Sequence, residues 1–142
     1  MENFDTIHAL AYFNILRTGS WIDSKIKVAL KPIGLTHAQL NILHLLYNAH
    51  LPLSANDLKE RILVNNPDIT RLLDRLVKKG YVKRETCPVN RRKIDISITK
   101  TGKEIFINAH NTAKKAMQNF FEDKISAEEA KELRRILHKI RD

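Results

Sequence analysis

The residues best equipped for chemistry in this chain are cations and amides rather than nucleophiles. Arg71, Arg75 and Lys78 recur at four- and three-residue spacing, which at 100° per residue gathers them on one narrow sector of a helix. Asn65 and Asn66 precede that group, and Arg91 and Arg92 sit side by side further on. A guanidinium can bond guanine O6 and N7 together, and an asparagine amide can bond adenine or hold a phosphate. Adjacent arginines at a hairpin tip suit a minor groove, whose negative potential attracts them. The alternative for each group is a solvated surface: Asp74 beside Lys78 makes an ordinary helix ion pair, and paired arginines also occur at plain turns.

The charge distribution bears on that choice. The 142 residues carry 25 Lys and Arg against 16 Asp and Glu, a net charge of +9. Residues 1–70 are balanced, six against six, and residues 104–142 hold eight against seven. Residues 71–103 hold eleven basic groups against Asp74, Glu85 and Asp95, a net +8 in one window. A field this localised attracts a polyanion, and nucleic acid is the commonest. A merely solubilising surface would spread its charge.

Other classes find little support. There is no Gly-rich phosphate loop, Gly-x-Ser-x-Gly elbow or His-Glu-x-x-His pair, so catalysis is not expected, nor any cofactor. The single cysteine, Cys87, excludes an internal disulfide framework. A thiol-sensor role would need an exposed, acidified thiolate; packing at a strand end is the simpler expectation. The six histidines show no tight ligand spacing, and no metal is expected. No apolar run reaches the ~18 residues of a membrane span, and the start of the chain lacks the basic and apolar stretches of a signal peptide. A cytoplasmic protein with no membrane partner is therefore expected.

The elements that must position the cations can be read from periodicity. Phe4, Ile7, Ala11, Ile15, Ile22, Ile26 and Ala29 trace a first helix, with Gly19-Ser20 a candidate bend and Pro32 and Gly34 its end. Thr36 and Gln39 form a capping box for a second helix with core face Leu40, Leu43, Leu46 and Tyr47. Ser54 and Asp57 open a short third helix with Leu58 and Ile62 inward. Asn66 is the expected cap of a fourth, with Pro67 at its first position and Ile69, Leu72, Leu73 and Leu76 inward. Gly80 is placed to end it. Tyr81 to Cys87 reads as a strand. Ile94, Ile96 and Ile98 alternate with polar residues as in a half-buried strand, leaving Arg91 and Arg92 at a hairpin tip. Ile105, Ala109, Ala113, Ala116, Met117 and Phe120 mark a fifth helix, and the Ser126–Glu129 box a sixth, with Ala130, Leu133, Leu137 and Ile140. The expected fold is mainly α with a small β-hairpin wing, in the order α-α-α-α-β-β-α-α: a winged helix-turn-helix, whose second helix of the motif enters the major groove.

The stretch from Leu35 to Gly102 resembles the MarR (multiple antibiotic resistance regulator) family of transcription factors. The matching residues are Leu35-Thr36-x-x-Gln39, Ser54-x-x-Asp57-Leu58, Thr70-Arg71-x-x-Asp74-x-Leu76-x-x-x-Gly80-Tyr81-Val82, and Asn90-Arg91-Arg92 followed by Ile98-Thr99-x-x-Gly102. The resemblance implies a dimeric repressor or activator, repression being the simpler expectation, that binds double-stranded DNA and is often released by a small molecule. It also implies contacts near Asn66, Thr70, Arg71 and Arg75 and from the wing at Arg91 and Arg92. One departure is Asn90, where the family usually has Asp; an amide holds an arginine only through a neutral bond.

One domain of 1–142 is expected, with a winged core at 36–100 and helical dimerisation regions at 1–33 and 102–142. The terminal stripes need cover, and a twofold homodimer would supply it and match an inverted-repeat operator; the alternative is a monomer with both arms folded back. Trp21 and Tyr47 are candidates for a pocket taking a small aromatic or lipophilic effector, or are plain core. An RNA-binding or ribosome-associated winged module would explain the charge equally, although Tyr81 is the only aromatic on either strand to stack a base.

Overall fold

The computed structural model describes residues 6–63 and 68–142. Thr6 caps α1 (Ile7–Leu30), its hydroxyl accepting from the Ala9 N–H at 3.1 Å. Pro32 then tightens the chain into a 3-10 turn, Lys31–Ile33, that ends at Gly34. Gly19-Ser20 does not interrupt α1. Capping boxes open α2 (His37–Asn48), α3 (Ala55–Arg61) and α6 (Ala127–Arg141), each at the expected pair.

α4 (Ile69–Lys78) starts later than its sequence suggests. Its cap is Asp68, whose carboxylate accepts from the Arg71 N–H at 3.1 Å; the expected cap, Asn66, and Pro67 lie outside the described residues. Asp68 has the advantage of a full negative charge at the positive end of the helix. α4 ends where Gly80, at φ 78°, takes the left-handed conformation that a side chain would resist.

β1 (Val82–Thr86) and β2 (Ile94–Ile98) pair antiparallel, with Val82 opposite Ile98 and Thr86 opposite Ile94. An isolated two-stranded ribbon is marginal in water. Here Leu53, from the α2–α3 connection, exchanges two backbone bonds with Ile96 at 3.0 and 2.8 Å and so pins the ribbon's other edge. Ile96 is buried, whereas Ile94 is exposed: only the base of the wing belongs to the core.

The core is organised around α2, which touches α1, α3, α4, α5 and β2. Besides the expected leucines it buries Ala38, Gln39, Asn41 and Ile42, while Tyr47 is 42% exposed and not the core residue its spacing suggests. α5 (Lys100–Phe120) buries Phe106 with Ala109 and Ala113; the expected stripe passes over Phe106. In α1 only Ile26 and Leu30 are buried. Ile22 and Ala29 of its stripe are half-buried, Ile7, Ala11 and Ile15 lie open with Leu10, Tyr12, Phe13 and Leu16, and Phe4 falls outside the described residues; α6 buries none of its residues.

The start of α5 is stitched to the α4–β1 corner. Thr99 caps α5 and donates through its hydroxyl to the Gly80 carbonyl at 2.6 Å, and its N–H reaches the Tyr81 carbonyl at 3.0 Å. Gly102 packs so closely that a Cβ there would collide with the Tyr81 carbonyl oxygen and lie 2.8 Å from Ile98 Cγ1. Gly102→Ala is therefore expected to lower the unfolding free energy by about 1–3 kcal/mol, measured by urea denaturation. Thr101→Ala, exposed one residue earlier, should stay within about 0.5 kcal/mol of the parent.

Candidate nucleic-acid interface

α4 is two-sided. Ile69, Leu72, Leu73 and Leu76 are buried, and Thr70, Arg71, Asp74, Arg75 and Lys78 are exposed. The rotation that buries the first set presents the second. Asn65 and Asn66 lie outside the described residues and are not placed. One contact holds the end of the helix and another the chain where it leaves α3. Lys79 Nζ donates to the Gly34 carbonyl at 2.7 Å, tying the end of α4 to the α1–α2 turn. Asn41, buried in α2, accepts from the Leu63 N–H at 2.7 Å, just where the chain leaves α3 for α4. Asn41 is not among the expected residues, although an amide between Leu40 and Ile42 must find a partner if buried.

The wing carries the second group of cations. Arg91 and Arg92 are exposed at its tip. Asn90 Oδ1 accepts from the backbone N–H of Arg92 at 3.1 Å, and the Asn90 carbonyl accepts from Lys93 at 2.9 Å. The amide thus fixes the turn and leaves the guanidinium to solvent. Cys87 closes the same turn, its N–H bonded to the Lys93 carbonyl at 2.9 Å, and its thiol is half-buried at the strand end.

Helix and wing share an edge. Arg84 of β1 donates to Asp74 of α4 at 2.7 Å, so the exposed side of the helix abuts the exposed side of the ribbon. On α3, Asp57 is held below the usual carboxylate range, chiefly by hydrogen bonds from Ser54 and further by the charges of Lys93 and Arg61. The result is a helix of groove-sized width and an arginine-tipped ribbon on one framework, with cations outward on both. Among the described residues, no group of three His, Cys, Asp or Glu side chains is placed to hold a metal ion, and no helix is long and apolar enough to cross a membrane.

Trp21 and Tyr47 are not brought together. Trp21 meets Phe120 edge-on, ring centroids 5.0 Å apart, with Lys25 over its ring. Tyr47 packs on Phe106 at 4.6 Å, about 21 Å from Phe120 along α5 at 1.5 Å per residue. Tyr47 also lines a shallow cavity of about 200 Å³ with His50, Leu51, Ile96 and Lys103, below the ~300–1,000 Å³ of most small-molecule sites. Beside it, His44 stacks on Phe106 at 5.7 Å and lies 5.7 Å from His110. Burial, then the neighbouring His110, pushes the His44 imidazole below the ordinary histidine value.

Comparison with known proteins gives one answer along the chain. Residues 35–94 match the MarR family. A helix-turn-helix-type transcriptional regulator of Bacillus cereus is 29% identical over 136 residues, covering 96% of this chain and 90% of the relative. The structure of a cysteine-to-serine mutant of E. coli MarR complexed with operator DNA is 27% identical with a TM-score of 0.83, covering 99% of each chain. AbsC, a MarR-family regulator from Streptomyces coelicolor, shares the fold with a TM-score of 0.86 at 20% identity, over 99% of this chain and 95% of AbsC.

The lowered His44 value carries a pH dependence. The unfolded chain binds that proton more readily, so stability is full above the ordinary histidine value of 6.5 and falls as the pH drops below it. His44→Gln should shrink the difference in Tm between about pH 7.5 and about pH 5.5, read by thermal melts of both proteins; an unchanged difference would assign the acid sensitivity elsewhere.

Proposed function

We propose that this chain, whose residues 35–94 match the MarR family, is a cytoplasmic transcriptional regulator of that family that binds double-stranded DNA as a homodimer. The observation that carries this reading is the two-sided α4: Arg71, Arg75 and Lys78 exposed opposite four buried apolar residues, on a framework shared with the Arg91–Arg92 tip. A major groove about 12 Å wide admits one helix. Arg71 and Arg75 then read base edges, Lys78 and Thr70 meet phosphates, and Asn65 and Asn66, which precede the helix in sequence, read adenine or hold phosphate. Arg91 and Arg92 enter the minor groove. The operator complex of E. coli MarR, similar over nearly the whole chain, supports the same use of this fold.

The open apolar faces of α1 and α6 favour a homodimer. Ile7, Tyr12, Phe13 and Leu16 on α1 and Ile136 and Ile140 on α6 are exposed, and a second copy would bury them. A twofold pair places two reading helices about 34–36 Å apart, one turn of DNA, on an inverted repeat. Such a regulator acts most simply as a repressor, by occupying its operator.

Salt titration of duplex binding tests the electrostatic part. A dimer neutralising ~6–10 phosphates should lose roughly 10³–10⁵ in affinity between 50 and 200 mM salt; salt-independent binding, or preference for structured RNA in competition, would count against the reading. Arg71→Ala should weaken binding to the preferred sequence by ~1–3 kcal/mol and relax the choice of base at one position. An equal loss on every duplex would make Arg71 a phosphate contact.

A further inference from the structure

Asp74 is the one acidic side chain within α4, and it lies on the exposed side with Arg71, Arg75 and Lys78. A carboxylate there repels phosphate, so a helix meant only to attract DNA would not carry it. Its partner is Arg84, in the middle of β1, at 2.7 Å. Both side chains are open to water, 56% and 37% exposed, and an ion pair so placed adds little to folding stability. We infer that the Asp74–Arg84 pair sets the angle between wing and reading helix, which makes both positioning residues for sequence selectivity. The inference rests on the regulator reading.

Leverage makes the pair matter. The backbone bonds from Leu53 anchor the base of the wing at Ile96. Arg84 lies directly opposite Ile96, and from Arg84 to Pro88 the ribbon extends about 13 Å beyond that anchor at ~3.3 Å per residue. A tilt of about 10° over that length moves the tip by about 2.3 Å, far beyond the tolerance of a hydrogen bond that must fall within about 2.7–3.2 Å. Arg84 is bonded to the helix itself, at the pivot of that arm. With the pair made, Arg91 and Arg92 reach the backbone in one register relative to the bases under Arg71 and Arg75. Without it the tip adapts to any duplex, and discrimination falls while general attraction remains.

The test is a double-mutant cycle read on selectivity. Two probes serve: a duplex enriched by the wild-type protein from a random pool, and a scrambled duplex of equal length and composition. Asp74→Asn and Arg84→Gln are each expected to lower the affinity ratio between the probes about tenfold, and the double variant to lower it no further. Asp74→Glu, which keeps the carboxylate, should retain the ratio, and all four should melt with the parent. Additive effects, or a ratio unchanged while Asp74→Asn strengthens and Arg84→Gln weakens both probes alike, would overturn the inference and leave only local charge. If the wild-type protein enriches no sequence, the regulator reading fails too, since there is no selectivity for the pair to set.

Discussion

The burial of one side of α4 is the constraint that generates the interface. Ile69, Leu72, Leu73 and Leu76 leave water together, each contributing roughly 1.5–3 kcal/mol. That burial fixes the rotation of the helix about its own axis. Turning it by a single residue, about 100°, would drive a guanidinium toward the leucines of α2, at a desolvation cost the helix could not meet. The cations need no separate device to face outward. The remaining contacts act on other freedoms. Lys79 to Gly34 fixes the end of the helix, Asn41 to Leu63 fixes how the chain leaves α3, and the Thr99–Gly102 corner fixes how α5 departs from the wing.

Local structure is largely legible in the sequence, because its causes are local. The three capping boxes each join residues three apart, and the alternation of Ile94, Ile96 and Ile98 is a property of one strand. The start of α4 differs from the expected one because Asn66 and Asp68 are both competent caps two residues apart; cap preference alone ranks them about equally, and the carboxylate's charge at the helix start favours Asp68. The features hidden from sequence reading join distant positions. Leu53 to Ile96, Asn41 to Leu63 and Asp74 to Arg84 each depend on the tertiary arrangement. Phe106 escapes the pattern because a neighbouring stripe, through Ile105, has the right spacing as well; only the position of α2 decides which of the two is covered.

The candidate site divides in the same manner. Arg71, Arg75, Lys78, Arg91 and Arg92 are recognisable from charge and spacing, and all are exposed. Trp21 and Tyr47 invite grouping as large aromatics on the first two helices, yet each has its own ring partner on α5. Aromatic residues are informative about burial and carry little information about which of them meet. Cations on successive turns of one helix are different: helix geometry alone puts them together.

Asn90 stands where an acidic residue would have offset the charge of the wing tip, and its amide is spent on the backbone of Arg92. Two guanidiniums therefore project with nothing nearby in the turn to temper them. If the wing meets DNA as proposed, this affects the search for a site more than the destination. An untempered tip would then draw the molecule to any stretch of duplex and speed first encounter. It would also lengthen each fruitless visit, so that scanning would be broad and slow to let go.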